Sequence, residues 1–118
     1  MKVNNHLLFS YGTLQLASVQ LANYGRVFKG VKDRLPGYKI EKLQITDSDV
    51  LAKSQVEFHP IAIKTGNRND TVEGMVYEIS DEELLASDKY EVSQYERVLE
   101  TFESGRKAWV YVAKSNVL

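Results

Sequence analysis

The chain of 118 residues is 43% hydrophobic and 26% charged, the balance of a globular protein long enough for one domain with a real core. Its 15 Lys and Arg against 16 Asp and Glu give a formal net charge of −1, which leaves no electrostatic footprint for nucleic acid or an anionic membrane. The absence of cysteine excludes disulfides, thiol nucleophiles and thiolate metal sites.

The N-terminal apolar run Leu7-Leu8-Phe9 is too short for a signal peptide, and no stretch approaches the roughly 18 to 20 apolar residues of a membrane helix. The expectation is a single cytoplasmic domain over residues 1–118, with no membrane or nucleic-acid partner. In chain order, HLLFSY (6–11) reads as a short buried strand that breaks at Tyr11-Gly12-Thr13. Leu14, Ala17, Leu21 and Tyr24 then follow a helical spacing, ending near Asn23 or Gly25. RVFKGV (26–31) is a second strand candidate, and Pro36-Gly37 signals a turn into the alternating stretch YKIEKLQI. Residues 47–55 are polar and read as a loop or one helical turn.

VEFHPIAIK (56–64) alternates around a proline, as an edge strand does or a strand broken at Pro60. TGNRND (65–70) is a turn cluster and TVEGMVYEIS (71–80) a strand. Ser80 followed by Glu83 is a capping box opening a helix to Glu91, with acidic residues in the first turn. YERVLETFES and KAWVYVAKS form a hairpin across Ser104-Gly105. The fold class is therefore α+β: a small, mostly antiparallel or mixed sheet or barrel with two main helices.

Two places could carry chemistry. Leu84, Asp88 and Glu91 fall at i, i+4 and i+7, so both carboxylates share a stripe with a core leucine. Either Asp88 or Glu91 sits at the rim, solvated or paired with Lys89 or Arg97, or Glu91 is desolvated beside Tyr90 and Tyr95 and poised for proton transfer. Tyr11-Gly12-Thr13 is either a plain strand-to-helix turn or an anion cradle. In the second case Gly12 admits a ligand to the backbone and Thr13 adds a hydroxyl. His6 and His59 lack metal-ligand spacing, Asp47 and Asp49 lack the rest of a calcium loop, and Ser10 lacks a nucleophile-elbow context. Trp109 and Tyr111 share one face of the last strand, as core or pocket wall.

Tyr11-Gly12-Thr13-Leu14, Val72-Glu73-Gly74-Met75-Val76-Tyr77 and Ser87-Asp88-Lys89-Tyr90-Glu91-Val92-Ser93-Gln94-Tyr95-Glu96-Arg97 stand in an order and spacing that resembles the γ-glutamylcyclotransferase-like (AIG2-like) family. Ser87 departs from the family's usual leucine, which is expected to loosen packing behind the helix. The resemblance implies the family's fold and makes Glu91 the acid/base. It makes Tyr11, Gly12, Thr13 and Leu14 the substrate cradle, with Tyr95 and Tyr111 in the pocket wall. It implies no cofactor and no metal, and a small γ-glutamyl amine or peptide as substrate. The implied reaction releases 5-oxoproline, as the substrate's own α-amine attacks its side-chain amide carbonyl. The alternative is a catalytically silent small-molecule-binding module of the same fold.

Overall fold

The computed structural model describes residues 6–44, 58–91 and 94–114, so the polar stretch 47–55, with Asp47 and Asp49, lies outside the described residues. Among the described residues there are seven strands: β1 (His6–Ser10), β2 (Gly30–Pro36), β3 (Tyr38–Gln44), β4 (Phe58–Lys64), β5 (Thr71–Ile79), β6 (Tyr95–Thr101) and β7 (Lys107–Ala113). The helices among them are α1 (Ala17–Tyr24) and α2 (Asp81–Tyr90), with a 3-10 turn at Thr13–Gln15. Five strands form a mixed sheet in the order β2-β5-β1-β7-β6, and β3 with β4 forms a second, two-stranded sheet. Of the two architectures expected, sheet or barrel, the chain adopts open sheets.

β1 is central and its successive residues serve opposite faces, as a pleated strand requires. Leu8 enters a core shared with Val19 and Tyr24 of α1 and Leu84 and Tyr90 of α2. Phe9 enters a second core with Leu35, Tyr38, Val76, Phe102 and Val110. Helices thus cover one face, and Tyr38 and Ala62 of the β3–β4 hairpin reach the other.

The parallel pair in the large sheet is β1 with β7, in register at Leu8 and Trp109; its other pairs are antiparallel. Gly37, at φ +83°, carries the chain from β2 into β3 and so from one sheet to the other. β4 runs unbroken through Pro60, which a strand in a two-stranded sheet tolerates because the missing N–H costs no central ladder bond.

The strand expected at 26–31 starts only at Gly30. The preceding residues are used otherwise. Arg26 makes a two-pronged ion pair with buried Glu83 at 2.7 and 2.8 Å, and the Phe28 N–H donates to the Gln20 side-chain oxygen at 2.9 Å. The capping box of α2 is present in both directions, Glu83 N–H to Ser80 Oγ at 3.2 Å and Ser80 N–H to Glu83 Oε1 at 2.9 Å.

Ser87 does not leave a void behind α2. Its hydroxyl donates to the Glu83 carbonyl at 2.9 Å and accepts from the Tyr24 phenol at 2.5 Å, so a polar contact from α1 fills the place of an aliphatic one. Gly74, where β5 passes β1, is fixed by contact. A Cβ there would lie 2.4 Å from the Ser10 carbonyl oxygen and 2.6 Å from the Phe9 ring. Gly74→Ala is therefore expected to push β5 off β1 at the point that launches the Tyr11 loop, costing about 3 kcal/mol in urea unfolding.

Candidate active site

Where β1 ends, the chain leaves the sheet and makes the 3-10 turn at Thr13–Gln15 before α1 begins at Ala17. The strand therefore hands over to one tight turn, not directly to a long helix, and neither the turn nor α1 carries an acidic residue in its first turn. At the opposite side, α2 stops at Tyr90, and Glu91 is its C-cap in extended conformation, with its N–H on the Ser87 carbonyl at 3.1 Å. Glu91 thus arrives at the site as a cap residue just past the helix. Its stripe-mate Leu84 is buried, as the spacing required.

A small pocket lies between these two segments. Phe9, Ser10, Tyr11, Gly12, Thr13, Leu14, Pro60, Glu91, Tyr95 and Tyr111 line it. All seven residues singled out from sequence stand in this one wall, brought together from the loop and 3-10 turn after β1, the end of α2, β6 and β7. Phe9, Ser10 and Pro60 were not foreseen. Ser10 was adjacent to the loop motif, and its Oγ accepts from the Gly12 N–H at 3.4 Å. Pro60 carried no signal beyond being a proline in a strand. The cavity volume is about 20 Å³, room for about one water.

Hydroxyl groups tie the wall together. The Tyr11 phenol donates to the Tyr111 carbonyl at 2.5 Å and accepts the Ala62 N–H at 3.0 Å, linking β7 to β4. The Tyr95 phenol donates to the Pro60 carbonyl at 2.7 Å, a second link to β4. The Tyr111 phenol donates to Asp88 Oδ1 at 2.7 Å, and Thr13 Oγ1 shares a hydrogen bond with the Tyr90 phenol at 2.6 Å. Burial pushes the Tyr11, Tyr95 and Tyr111 phenols above the ordinary tyrosine range, so they keep their protons. Gly12 has φ −132°, so no left-handed backbone demands it; a Cβ there would sit 3.3 Å from the Pro60 ring.

Glu91 is the electrostatic centre. Its carboxyl is pushed up to about 8, first by burial and then by the neighbouring Asp88 carboxylate. Its place at the C-terminal end of α2 acts in the same direction. Among the described residues no side chain pairs with the Glu91 carboxylate. Arg97, one of its two possible partners by sequence, goes instead to Asp88 at 2.9 Å. His6 bonds Asp81 at the surface, away from this pocket. Among the described residues no cluster of three or more His, Cys, Asp or Glu could hold a metal.

A larger, open depression of about 590 Å³ is lined by Lys32, Asp33, Arg34, Glu73, Glu103 and neighbours. Its Arg34 pairs with Glu73 at 3.3 Å at the surface, and its buried Asp33 pairs with Arg106 at 3.0 Å and accepts from the Ser104 hydroxyl at 2.6 Å. The carboxyl that burial raises lies in the wall of the small pocket instead.

The family model for γ-glutamyl cyclotransferase, AIG2-like, matches residues 8–117, and the chain belongs to that family. Its fold is also that of several solved structures. One is a solution structure from Arabidopsis thaliana, with TM-score 0.68 and 25% identity over 92% of this chain and 61% of that one. A crystal structure from Pyrococcus horikoshii has TM-score 0.65 and 21% identity, covering 95% of this chain and 80% of that one. A protein described as a gamma-glutamyl cyclotransferase has TM-score 0.65 and 16% identity, covering 92% of this chain and 66% of its own. The chain thus spans less than two thirds of the length of the first and third of these. No curated protein matches the chain. Among the described residues no helix is long and apolar enough to cross a membrane.

A carboxyl raised by burial holds its proton in the folded state but releases it near 4.5 once unfolded. Its stabilising contribution is complete below 4.5, falls as pH rises, and is gone above about 8. Glu91→Gln removes that dependence, so between pH 5 and pH 9 its unfolding free energy should gain on the parent's by on the order of 3 kcal/mol, measured by urea titration.

Proposed function

We propose that this chain is a γ-glutamyl cyclotransferase that releases 5-oxoproline from a γ-glutamyl amine or γ-glutamyl peptide, with Glu91 as general base and then general acid. The observation that carries the reading is a carboxyl without a counter-ion, raised to about 8, at the wall of a pocket shared with the Tyr11–Leu14 loop. Family membership supplies the reaction class.

The nucleophile belongs to the substrate, so the protein has only to orient and to move protons. The α-ammonium gives a proton to the Glu91 carboxylate, and the freed amine attacks the γ-amide carbonyl to close a five-membered ring. The tetrahedral intermediate collapses with cleavage of the original C–N bond. Glu91 returns its proton to the departing nitrogen, which also takes the surplus proton of the ring nitrogen, leaving 5-oxoproline and an ammonium ion. Proton transfer of this kind is worth roughly 10²- to 10⁴-fold, and holding the chain in its ring-closing shape supplies several kcal/mol more.

The cradle for the substrate carboxylate or the developing oxyanion is the backbone at Gly12, Thr13 and Leu14. Tyr11, Tyr95 and Tyr111 shape the wall around the ring. A cavity that admits about one water keeps solvent from the intermediate, and a γ-glutamyl group enters only when the wall gives way.

Release of 5-oxoproline is to be assayed against a panel of γ-glutamyl amines, γ-glutamyl amino acids and glutathione. The parent should turn over at least one class, and Glu91→Gln should fold normally and lose at least 10²-fold in kcat. A folded parent with no turnover on any of them returns the site to a binding module without chemistry. Because the base form of Glu91 is required, kcat/KM should rise with pH and level off near 8. A rate flat from pH 6 to 9 would exclude Glu91 as the base.

A further inference from the structure

Asp88 is outside the pocket wall yet bonded to part of it. Its Oδ1 accepts the Tyr111 phenolic proton at 2.7 Å and the Arg97 Nε–H at 2.9 Å. The Arg97 guanidinium also lies 4.5 Å from the Trp109 ring centroid. Asp88 is in the last turn of α2, three residues before Glu91; Arg97 follows Tyr95 on β6 and Trp109 precedes Tyr111 on β7, each by two. One carboxylate therefore fastens the end of α2 to both strands whose tyrosines face Glu91.

A phenol has one proton and two lone pairs. Tyr111 gives its proton to Asp88, Tyr95 gives its proton to Pro60, and Tyr11 is used in both directions by the backbone. Among the described residues the ionisable groups that couple to Glu91 are Asp88 on α2, Tyr24 on α1, Tyr11 after β1, Tyr95 on β6 and Tyr111 on β7, and none of these is a cation. Asp88 is the other carboxylate of the set, and its guanidinium partner is Arg97.

We propose that Asp88 is a positioning residue for Glu91 and Tyr111: clamped by Arg97, it holds the end of α2 that carries Glu91 against β6 and β7, draws the Tyr111 proton outward and leaves that oxygen's lone pairs to the pocket. The inference rests on the reading of Glu91 as the proton-transfer group. With Asp88 in place, the wall beside Glu91 offers acceptors to a substrate ammonium and no phenolic proton that would pair with the Glu91 carboxylate and weaken it as a base.

The test is a ¹³C NMR titration of the Glu91 carboxyl in the parent, Asp88→Asn and Arg97→Met, with amide spectra reporting the fold. Asn keeps the shape and an acceptor for Tyr111 but loses the charge; Met keeps an apolar stem on Trp109 but loses the guanidinium. The Glu91 midpoint should fall by about 1 pH unit in Asp88→Asn and rise by about half a unit in Arg97→Met. The rising limb of kcat/KM for 5-oxoproline release should move with it in each variant. An unmoved midpoint in Asp88→Asn, or a fall in both variants, overturns the positioning role. If Asp88→Asn does not fold, Arg97→Met decides alone, a rise supporting the role and a fall overturning it. Midpoints that move as expected in a parent without turnover keep the role of Asp88 and remove the cyclotransferase reading.

Discussion

The site depends on one docking interaction, the hydrogen bonds that hold β4 across the open end of the large sheet. A two-stranded hairpin is marginal by itself and needs a surface to pack on. Here the Tyr11 phenol takes the Ala62 N–H and gives its own proton to the Tyr111 carbonyl, while Tyr95 reaches the Pro60 carbonyl. These bonds are buried or partly so, where an unmade partner costs about 1–3 kcal/mol apiece. They bring Pro60 against Gly12 and close the pocket from a direction the large sheet cannot supply. Three tyrosines that a sequence reading assigns to substrate contact are therefore first of all parts of the frame.

The sheet topology explains why the pocket stands where it does. β1 and β7 are the parallel neighbours in a sheet that otherwise alternates, and ligand sites in parallel sheets gather beyond the carboxyl ends of such strands. The loop that leaves β1 is Tyr11–Leu14, and the far part of β7 carries Tyr111. α2, packed on the same face, ends beside them and delivers Glu91. The helix is set at its other end by the capping box and by Arg26 on Glu83, so the position of Glu91 is fixed from the far end of α2.

Much of this was legible in the sequence because the signals were local. The capping box needs only Ser80 and Glu83, and the hairpin at Ser104-Gly105 only its turn and flanking alternation. The seven residues that meet in the pocket wall were picked out by motifs whose resemblance pointed to the family the chain belongs to. Other features rest on long-range contacts that no local pattern encodes. RVFKGV was read as a strand, but tertiary partners took the first part of it: Gln20 for the Phe28 N–H, Glu83 for Arg26. Pro60 was a strand irregularity until Tyr95 was seen to use its carbonyl. Ser87 looked like a packing defect because its compensation, Tyr24, is 63 residues away.

The pattern of hydroxyl protons gives the pocket its chemical sense. A wall of phenols is usually read as a set of donors, which suits an anion. Here the protons of Tyr11, Tyr95 and Tyr111 are already given to two backbone carbonyls and to Asp88. Burial keeps them on their oxygens, so the assignment does not change over the physiological pH range. On the reading proposed above, anion recognition falls to the backbone of the loop after β1, and the phenol side of the pocket suits a cation or another donor. A γ-glutamyl substrate carries one of each on a single carbon, a carboxylate and an ammonium. A carboxylate held by the loop and an ammonium held by the phenol oxygens and Glu91 would fix the substrate's α-carbon, and with it the direction from which the amine meets the γ-carbonyl.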